Sequence, residues 1–166
     1  MDIKPISNRI YGFLVLYDMH TTYYHNVLDG IKDEDALKRL DTKANHIAWI
    51  AGSLLQERFE LANLMGLSLK QSADELFKHH QGIKDGVKYP SLKSYEAEWD
   101  HISPLLREKL LNVSDEELDK VIDFPVEQMS FPLFEMASFT TYREANCIGQ
   151  IALWRRLLGY EAMKYM

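Results

Sequence analysis

The feature that most constrains the fold is the spacing of apolar residues near the N-terminus, where they recur at steps of three and four. An α-helix places residues with this spacing on one side, so the pattern predicts a helix from just after Ser7 to near Gly30. The apolar stripe consists of Ile6, Ile10, Phe13, Tyr17, Tyr24, Val27 and Ile31. Gly30 stands where helices commonly end in a left-handed conformation.

A second helix is predicted between Asn45, which suits an N-cap, and Gly66, which suits a helix end. Its body runs from His46 to Leu64. Apolar residues occupy several of its faces, so we expect the helix to be largely buried. Small residues cluster around Gly52 and would let another helix approach closely.

Two more long helices are predicted over residues 92–113 and 133–158. Pro104 lies inside the first of these and is expected to bend it, because proline removes a backbone donor and crowds the preceding turn. Four helices of about 20 residues each are typical of a four-helix bundle. The sequence therefore predicts an all-α fold, with one domain spanning residues 1–166.

The connections between these helices are predicted to contain short elements. A short helix is expected around 72–77, followed by a loop over 79–90. Ser114 and Glu117 have the spacing of a capping box, which predicts another short helix. Residues 121–131, with Pro125 as a breaker, are expected to be irregular, with room for a brief extended piece.

Composition excludes several functional classes. A chain of 166 residues with 46% hydrophobic side chains is not a disordered protein. Its net charge of −6 is opposite to that of most nucleic-acid-binding proteins. No apolar run is long enough to span a membrane, and the N-terminus lacks the pattern of a signal peptide. The one cysteine, Cys147, fits a reducing compartment. We expect a cytoplasmic protein with neither nucleic acid nor membrane as its partner.

Polar residues interrupt the apolar surface of the second and the last long helix. The two stripes are His46, Ser53 and Glu57 on the second helix, and Arg143, Cys147 and Gln150 on the last. Buried polar groups need partners, so the stripes predict one internal polar cluster with an ion pair between Glu57 and Arg143. The cluster is either a structural ion pair or the wall of a ligand-binding or catalytic pocket.

Other polar side chains give weaker signals. His20 lies on the apolar stripe of the first helix, so we expect it to be hydrogen-bonded in the core or beside a pocket. The adjacent His79 and His80 are expected to be exposed. Arg143, one turn from Cys147, would lower the pKa of the thiol and make it reactive, whereas a free cysteine in a helix core is more often inert.

Two segments resemble the DinB-like superfamily of DNA-damage-inducible and YfiT-like proteins. They are NHIAWIAGSLL at residues 45–55 and CIGQIALWRRLLG at residues 147–159. The resemblance extends over nearly the whole chain. It implies an up-down-down-up helical bundle with short extra helices in the connections, and in many members a homodimer.

The resemblance also implies a metal site made by three histidines, one on the second helix and two on the last. In this sequence Ser53, Arg143 and Cys147 stand at those positions. Serine is a poor ligand, and arginine is not one because it keeps its proton. We therefore expect no metal there, with Arg143 in the place of the cation and Glu57 balancing its charge.

Two functional hypotheses follow from this substitution. The first is a metal-free protein that binds a small molecule or a partner. The second is a thiol-dependent transferase or a metal-dependent hydrolase with an altered ligand set, with a divalent metal such as Zn²⁺ or Ni²⁺ and with Cys147 or Arg143 holding the substrate. The family name also suggests a stress response at DNA, but the acidic charge opposes direct DNA contact.

Overall fold

The computed structural model describes residues 4–124 and 128–165. These residues are predominantly helical, which confirms the all-α class. The α-helices are α1 (Tyr11–Leu28), α2 (Asp33–Ala36), α3 (Ile47–Leu64), α4 (Asp74–Phe77), α5 (Leu92–Asn112), α6 (Asp115–Leu118) and α7 (Leu133–Leu157). Short 3-10 turns cover Asn8–Ile10 and Lys78–His80, and two strands cover β1 (Val121–Phe124) and β2 (Met129–Pro132).

The four long helices enclose one hydrophobic core. Both α1 and α3 pack against α5 and α7. Fourteen of the 18 residues of α3 are buried, as its sequence predicted. Aromatic rings fill the centre, where Tyr24 stacks on Trp99 with 4.0 Å between the ring centroids. No helix in the described ranges combines the length and the apolar character needed to cross a bilayer.

The start of α3 differs from the prediction. His46, rather than Asn45, is the N-cap, and its Nδ1 accepts a hydrogen bond from the backbone N–H of Trp49 at 3.1 Å. Burial lowers the pKa of His46, which keeps the ring neutral and its nitrogen available as an acceptor. The ring packs edge-on against Tyr89. His46 therefore has a structural role at the beginning of the helix.

The connections are partly as predicted. Ser114 and Glu117 form the expected capping box at α6. The segment expected to be irregular, with room for a brief extended piece, contains more regular structure than this: two antiparallel strands, in which Val121 pairs with Pro132 and Phe124 with Met129. The predicted breaker Pro125 lies outside the described residues. Four-residue strands are too short to give a clear alternating pattern, which explains the difference.

Close approach to α3 occurs at Gly52, in the cluster of small residues. A Cβ atom at this position would lie 2.3 Å from Cζ of Phe77 and 2.6 Å from the hydroxyl oxygen of Tyr95. Phe77 ends α4 and Tyr95 belongs to α5. The missing side chain of Gly52 thus allows two aromatic rings to reach the backbone of α3.

We predict that Gly52→Ala lowers the free energy of unfolding by about 1–3 kcal/mol, because the added methyl group displaces both rings. Gly149→Ala is the matched control, since Gly149 is exposed on α7 and its Cβ would meet nothing within 4 Å. This control should be stabilising by about 0.5–1 kcal/mol, since alanine favours a helix. Urea unfolding measures both changes, and equal effects would contradict the packing argument.

Candidate functional site

Arg143 connects α7 to α3. Its Nη1 donates to Oε1 of Glu57, and its Nη2 donates to Oγ of Ser53 at 2.7 Å. The side chain of Arg143 is 23% exposed and that of Glu57 is 10% exposed. The ion pair expected from the sequence is therefore present, and it lies at the edge of the core, where solvent reaches the guanidinium.

Two clefts meet at Arg143. The small cleft, of about 50 Å³, is lined by Ser53, Gln56, Glu57, Glu60, His80 and Arg143, together with Trp49, Phe77 and Gln81. The large cleft, of about 310 Å³, is lined by Asn45, Trp49, Ile50, Cys147, Gln150 and Arg143, together with Phe139, Tyr142 and Asn146. Of the predicted site residues, Ser53 and Glu57 lie in the small cleft and Cys147 and Gln150 in the large one. The guanidinium of Arg143 contributes to both.

The side chains of the large cleft differ in chemical character. Burial raises the pKa of Cys147 by more than the nearby charge of Arg143 lowers it. The thiol is therefore protonated near neutral pH, and the alternative of a lowered pKa is wrong. Gln150 is exposed, and its amide donates to Oδ1 of Asn146 at 2.6 Å. This combination suits binding through hydrogen bonds better than attack by a thiolate.

The residues at the positions where the resemblance implies three histidines do not fit a metal ion. Arg143 donates a hydrogen bond to Ser53, so a positively charged donor occupies the space between α3 and α7. A guanidinium offers no lone pair to a metal, so Arg143 is not a ligand. Cys147 is the one remaining soft ligand of the three, and its thiol is protonated.

A second ion pair, which the sequence reasoning missed, lies deeper in the core. Arg58 of α3 is fully buried and makes a two-pronged contact with Glu144 of α7. Its Nε lies 2.5 Å from Oε1 and its Nη2 lies 3.1 Å from Oε2. Nη1 donates to the hydroxyl groups of Thr21 and Ser103, at 2.9 and 2.6 Å. This network joins all four long helices.

Two aromatic rings pack against the guanidinium of Arg58. Its Cζ lies 3.9 Å from the centroid of Tyr17 and 3.5 Å from that of Trp99. Nδ1 of His20 lies 3.1 Å from Oε2 of Glu144, which confirms the expectation that His20 is hydrogen-bonded in the core. Burial opposes the charge of Glu144 most strongly, but Arg58 and His20 together outweigh it and lower its pKa.

The sequence did contain a signal for this network. Glu144 shares one stripe of α7 with Thr140, Ile148 and Ile151, all of them buried. Arg58 likewise stands between Leu54 and Ala62 on a buried side of α3. A charged residue in the middle of such a stripe predicts a buried ion pair.

A further cluster, also missed from the sequence, lies at the small cleft. One carboxylate oxygen of Glu57, one of Glu60 and one ring nitrogen of His80 all lie within 4.8 Å of one another. His79 and His80 are exposed, as predicted. No interaction between His80 and α3 was expected, because 20 residues separate His80 from Glu60.

The comparisons with known proteins add no assignment. No protein-family model matches the chain, and no curated protein matches it. The site is therefore interpreted from its own geometry.

The two buried carboxylates predict responses of different size to neutralisation. The lowered pKa of Glu144 means that its charge contributes stability above the unfolded-state pKa, about 4.3, and that this contribution is lost as pH falls through the folded-state pKa. Glu144→Gln should cost about 3–5 kcal/mol at pH 7 because it leaves Arg58 unpaired. The difference from the wild type should narrow below about pH 4.3.

Glu57→Gln is the matched variant. Burial is the main cause that raises the pKa of Glu57, so its ionisation costs stability at neutral pH, and glutamine still accepts from Arg143. The change at pH 7 should stay within about 1 kcal/mol. Urea unfolding between pH 3 and pH 7 measures both variants, and a larger loss for Glu57→Gln than for Glu144→Gln would refute this ranking.

Proposed function

We propose that this protein is a DinB-like small-molecule-binding protein in which the guanidinium of Arg143, and not a metal ion at the three-histidine position, binds the carboxylate of the ligand. The observation that carries the proposal is the position of Arg143 at the junction of the two clefts. Within the described part of the chain, its five N–H groups make two hydrogen bonds, to Glu57 and Ser53. The remaining N–H groups are free to bind a carboxylate, which matches guanidinium geometry.

The architecture we propose is the up-down-down-up four-helix bundle of that superfamily. Between α1 and α5, and between α3 and α7, residue numbers rise along one helix as they fall along the other. Between α1 and α7, and between α3 and α5, they rise together. The contact pairs are Tyr17–Ser103 and Thr21–Trp99 for α1 and α5, Phe13–Phe134 and His20–Glu144 for α1 and α7, and Gly52–Tyr95 and Arg58–Ser103 for α3 and α5. For α3 and α7, Leu61 and Thr140 line one cavity, and Ile50 and Cys147 line another. This pattern supports a bundle in which α1 and α7 run up and α3 and α5 run down.

The second functional hypothesis is a thiol-dependent transferase or a metal-dependent hydrolase with an altered ligand set. Its supporting observation is that Cys147 lines the large cleft beside Arg143. The raised pKa of Cys147 weighs against a thiolate nucleophile, so we rank ligand binding first. A cytoplasmic location stays a prediction from the sequence.

The carboxylate pocket predicts that a small carboxylate stabilises the protein in a way that depends on Arg143. The probe is a panel of small mono- and dicarboxylates, from acetate to citrate, tested by thermal shift and calorimetry on chelator-treated, tag-free protein. For the best member, Arg143→Gln should weaken binding at least tenfold, since a hydrogen bond to a charged group contributes about 1.5–3 kcal/mol.

Arg156→Gln is the control, because Arg156 is an exposed arginine of the same helix. This variant should bind like the wild type. Equal affinities of Arg143→Gln and the wild type, or no response to any member of the panel, would contradict the proposal.

A homodimer is the second part of the proposal. The last helix exposes four large apolar side chains on one side, at helical spacing: Phe139, Tyr142, Leu153 and Leu157. This side adjoins the large cleft, which Phe139 and Tyr142 also line. An exposed apolar stripe of this kind suits an isologous contact between two copies.

We predict that light scattering gives twice the 19.4 kDa chain mass for the wild type. The double substitution Leu153→Glu and Leu157→Glu should give the mass of one chain, because it places charges in the contact. Leu37→Glu changes an exposed leucine elsewhere on the surface and should leave the dimer intact. A wild type that has the mass of one chain would rule out the dimer.

A further inference from the structure

Three potential metal ligands converge at the small cleft. Glu57 and Glu60 stand three residues apart on α3, which directs both side chains to the same side of the helix. His80 approaches from the 3-10 turn after α4. One donor atom from each of the three lies within 4.8 Å of the others, and all three residues line the small cleft.

An unpaired oxygen on a residue that lines the same cleft is a second, independent observation. The Gln56 side chain is buried, with 7% of the residue exposed. Its Nε2 donates to Glu60 at 3.0 Å and to Asp74 at 2.9 Å, so two carboxylates fix the orientation of the amide. Its Oε1 has no hydrogen-bond partner within residues 4–124 and 128–165. A buried carbonyl oxygen without a donor is satisfied by a water molecule or by a cation, and the carboxylates beside Gln56 favour a cation with its bound water.

The charges around the cleft also favour a cation. Burial is the main reason that the pKa of Glu57 is raised, and the neighbouring carboxylate of Glu60 adds to the effect. Arg143 contributes one positive charge against these two carboxylates. A dication would offset the repulsion between Glu57 and Glu60, and Glu57 has a second oxygen besides the one that Arg143 holds.

We propose that Glu57, Glu60 and His80 bind a divalent transition-metal ion, with none of the three residues at the three-histidine position among its ligands. One imidazole with two carboxylates suits Zn²⁺ and the neighbouring ions from Mn²⁺ to Ni²⁺. At metal–ligand distances of about 2.1 Å the three donors must come to about 3.3 Å from one another. The exposed side chain of His80 can rotate to close this gap. Three protein ligands leave coordination positions open to water or an anion.

The chain offers a matched control for this site. His79 and His80 are adjacent and exposed, and both have left-handed backbone conformations, with φ of 57° and 53°. Of these two histidines, only His80 belongs to the ligand cluster. Replacing either exposed ring with alanine removes the same side chain from the same turn, so a difference between the two variants reports on the site itself.

The experiment titrates chelator-treated, tag-free protein with ZnCl₂ in a calorimeter. We expect one Zn²⁺ per chain for the wild type and for His79→Ala. His80→Ala and Glu60→Gln should each weaken binding at least tenfold, since loss of a ligand should cost no less than the roughly 10–100-fold effect of losing an outer-shell partner. Cys147→Ala should bind Zn²⁺ as the wild type does, because Cys147 lines the other cleft.

Three results would overturn the proposal: no stoichiometric Zn²⁺ binding, equal affinities of His80→Ala and His79→Ala, or loss of binding in Cys147→Ala with His80→Ala unaffected. The proposal does not rest on the carboxylate pocket. Carboxylate binding is measured in chelator-treated protein, so the two fail or succeed separately. Circular dichroism of each variant verifies that the helices are retained.

Discussion

The contact between Arg58 and Glu144 is the interaction on which the rest of the structure depends. A fully buried guanidinium is tolerated only where carboxylate and hydroxyl groups satisfy its donors, and here α1, α5 and α7 all contribute groups that do so. The rings of Tyr17 and Trp99 pack against it through cation–π contacts. Because every long helix takes part, this one side chain holds the four in fixed relative positions.

The candidate site lies one residue earlier on each of these two helices, in a different environment. Glu57 and Arg143 are neighbours in sequence of Arg58 and Glu144, but they lie beside clefts and partly reach solvent. Our proposals therefore give structural ion pairing and ligand binding, which the sequence left as alternatives, to different pairs. The buried pair fixes the scaffold, and the outer pair supplies the side chains that our proposals for carboxylate and metal binding use.

The long helices could be predicted because their apolar periodicity extends over several turns, whereas single residues within them could not be placed reliably. Adjacent helix positions differ by about 100°, so a polar residue one place along the chain faces another environment. This explains why the reasoning found the Glu57 pair and missed Arg58. His46 as an N-cap depends on a neutral ring, which burial provides and the sequence does not show. His80 reaches Glu60 through a turn whose backbone has no sequence signature.

The two ion pairs also have opposite polarity. On α3 the acid precedes the base, at Glu57 and Arg58, whereas on α7 the base precedes the acid, at Arg143 and Glu144. If the pairing were exchanged, Glu57 would face Glu144 and Arg58 would face Arg143. Misaligned docking of α3 on α7 is thus penalised by repulsion as well as by lost packing. The reversed order of charges on the two helices therefore favours one alignment of α3 with α7.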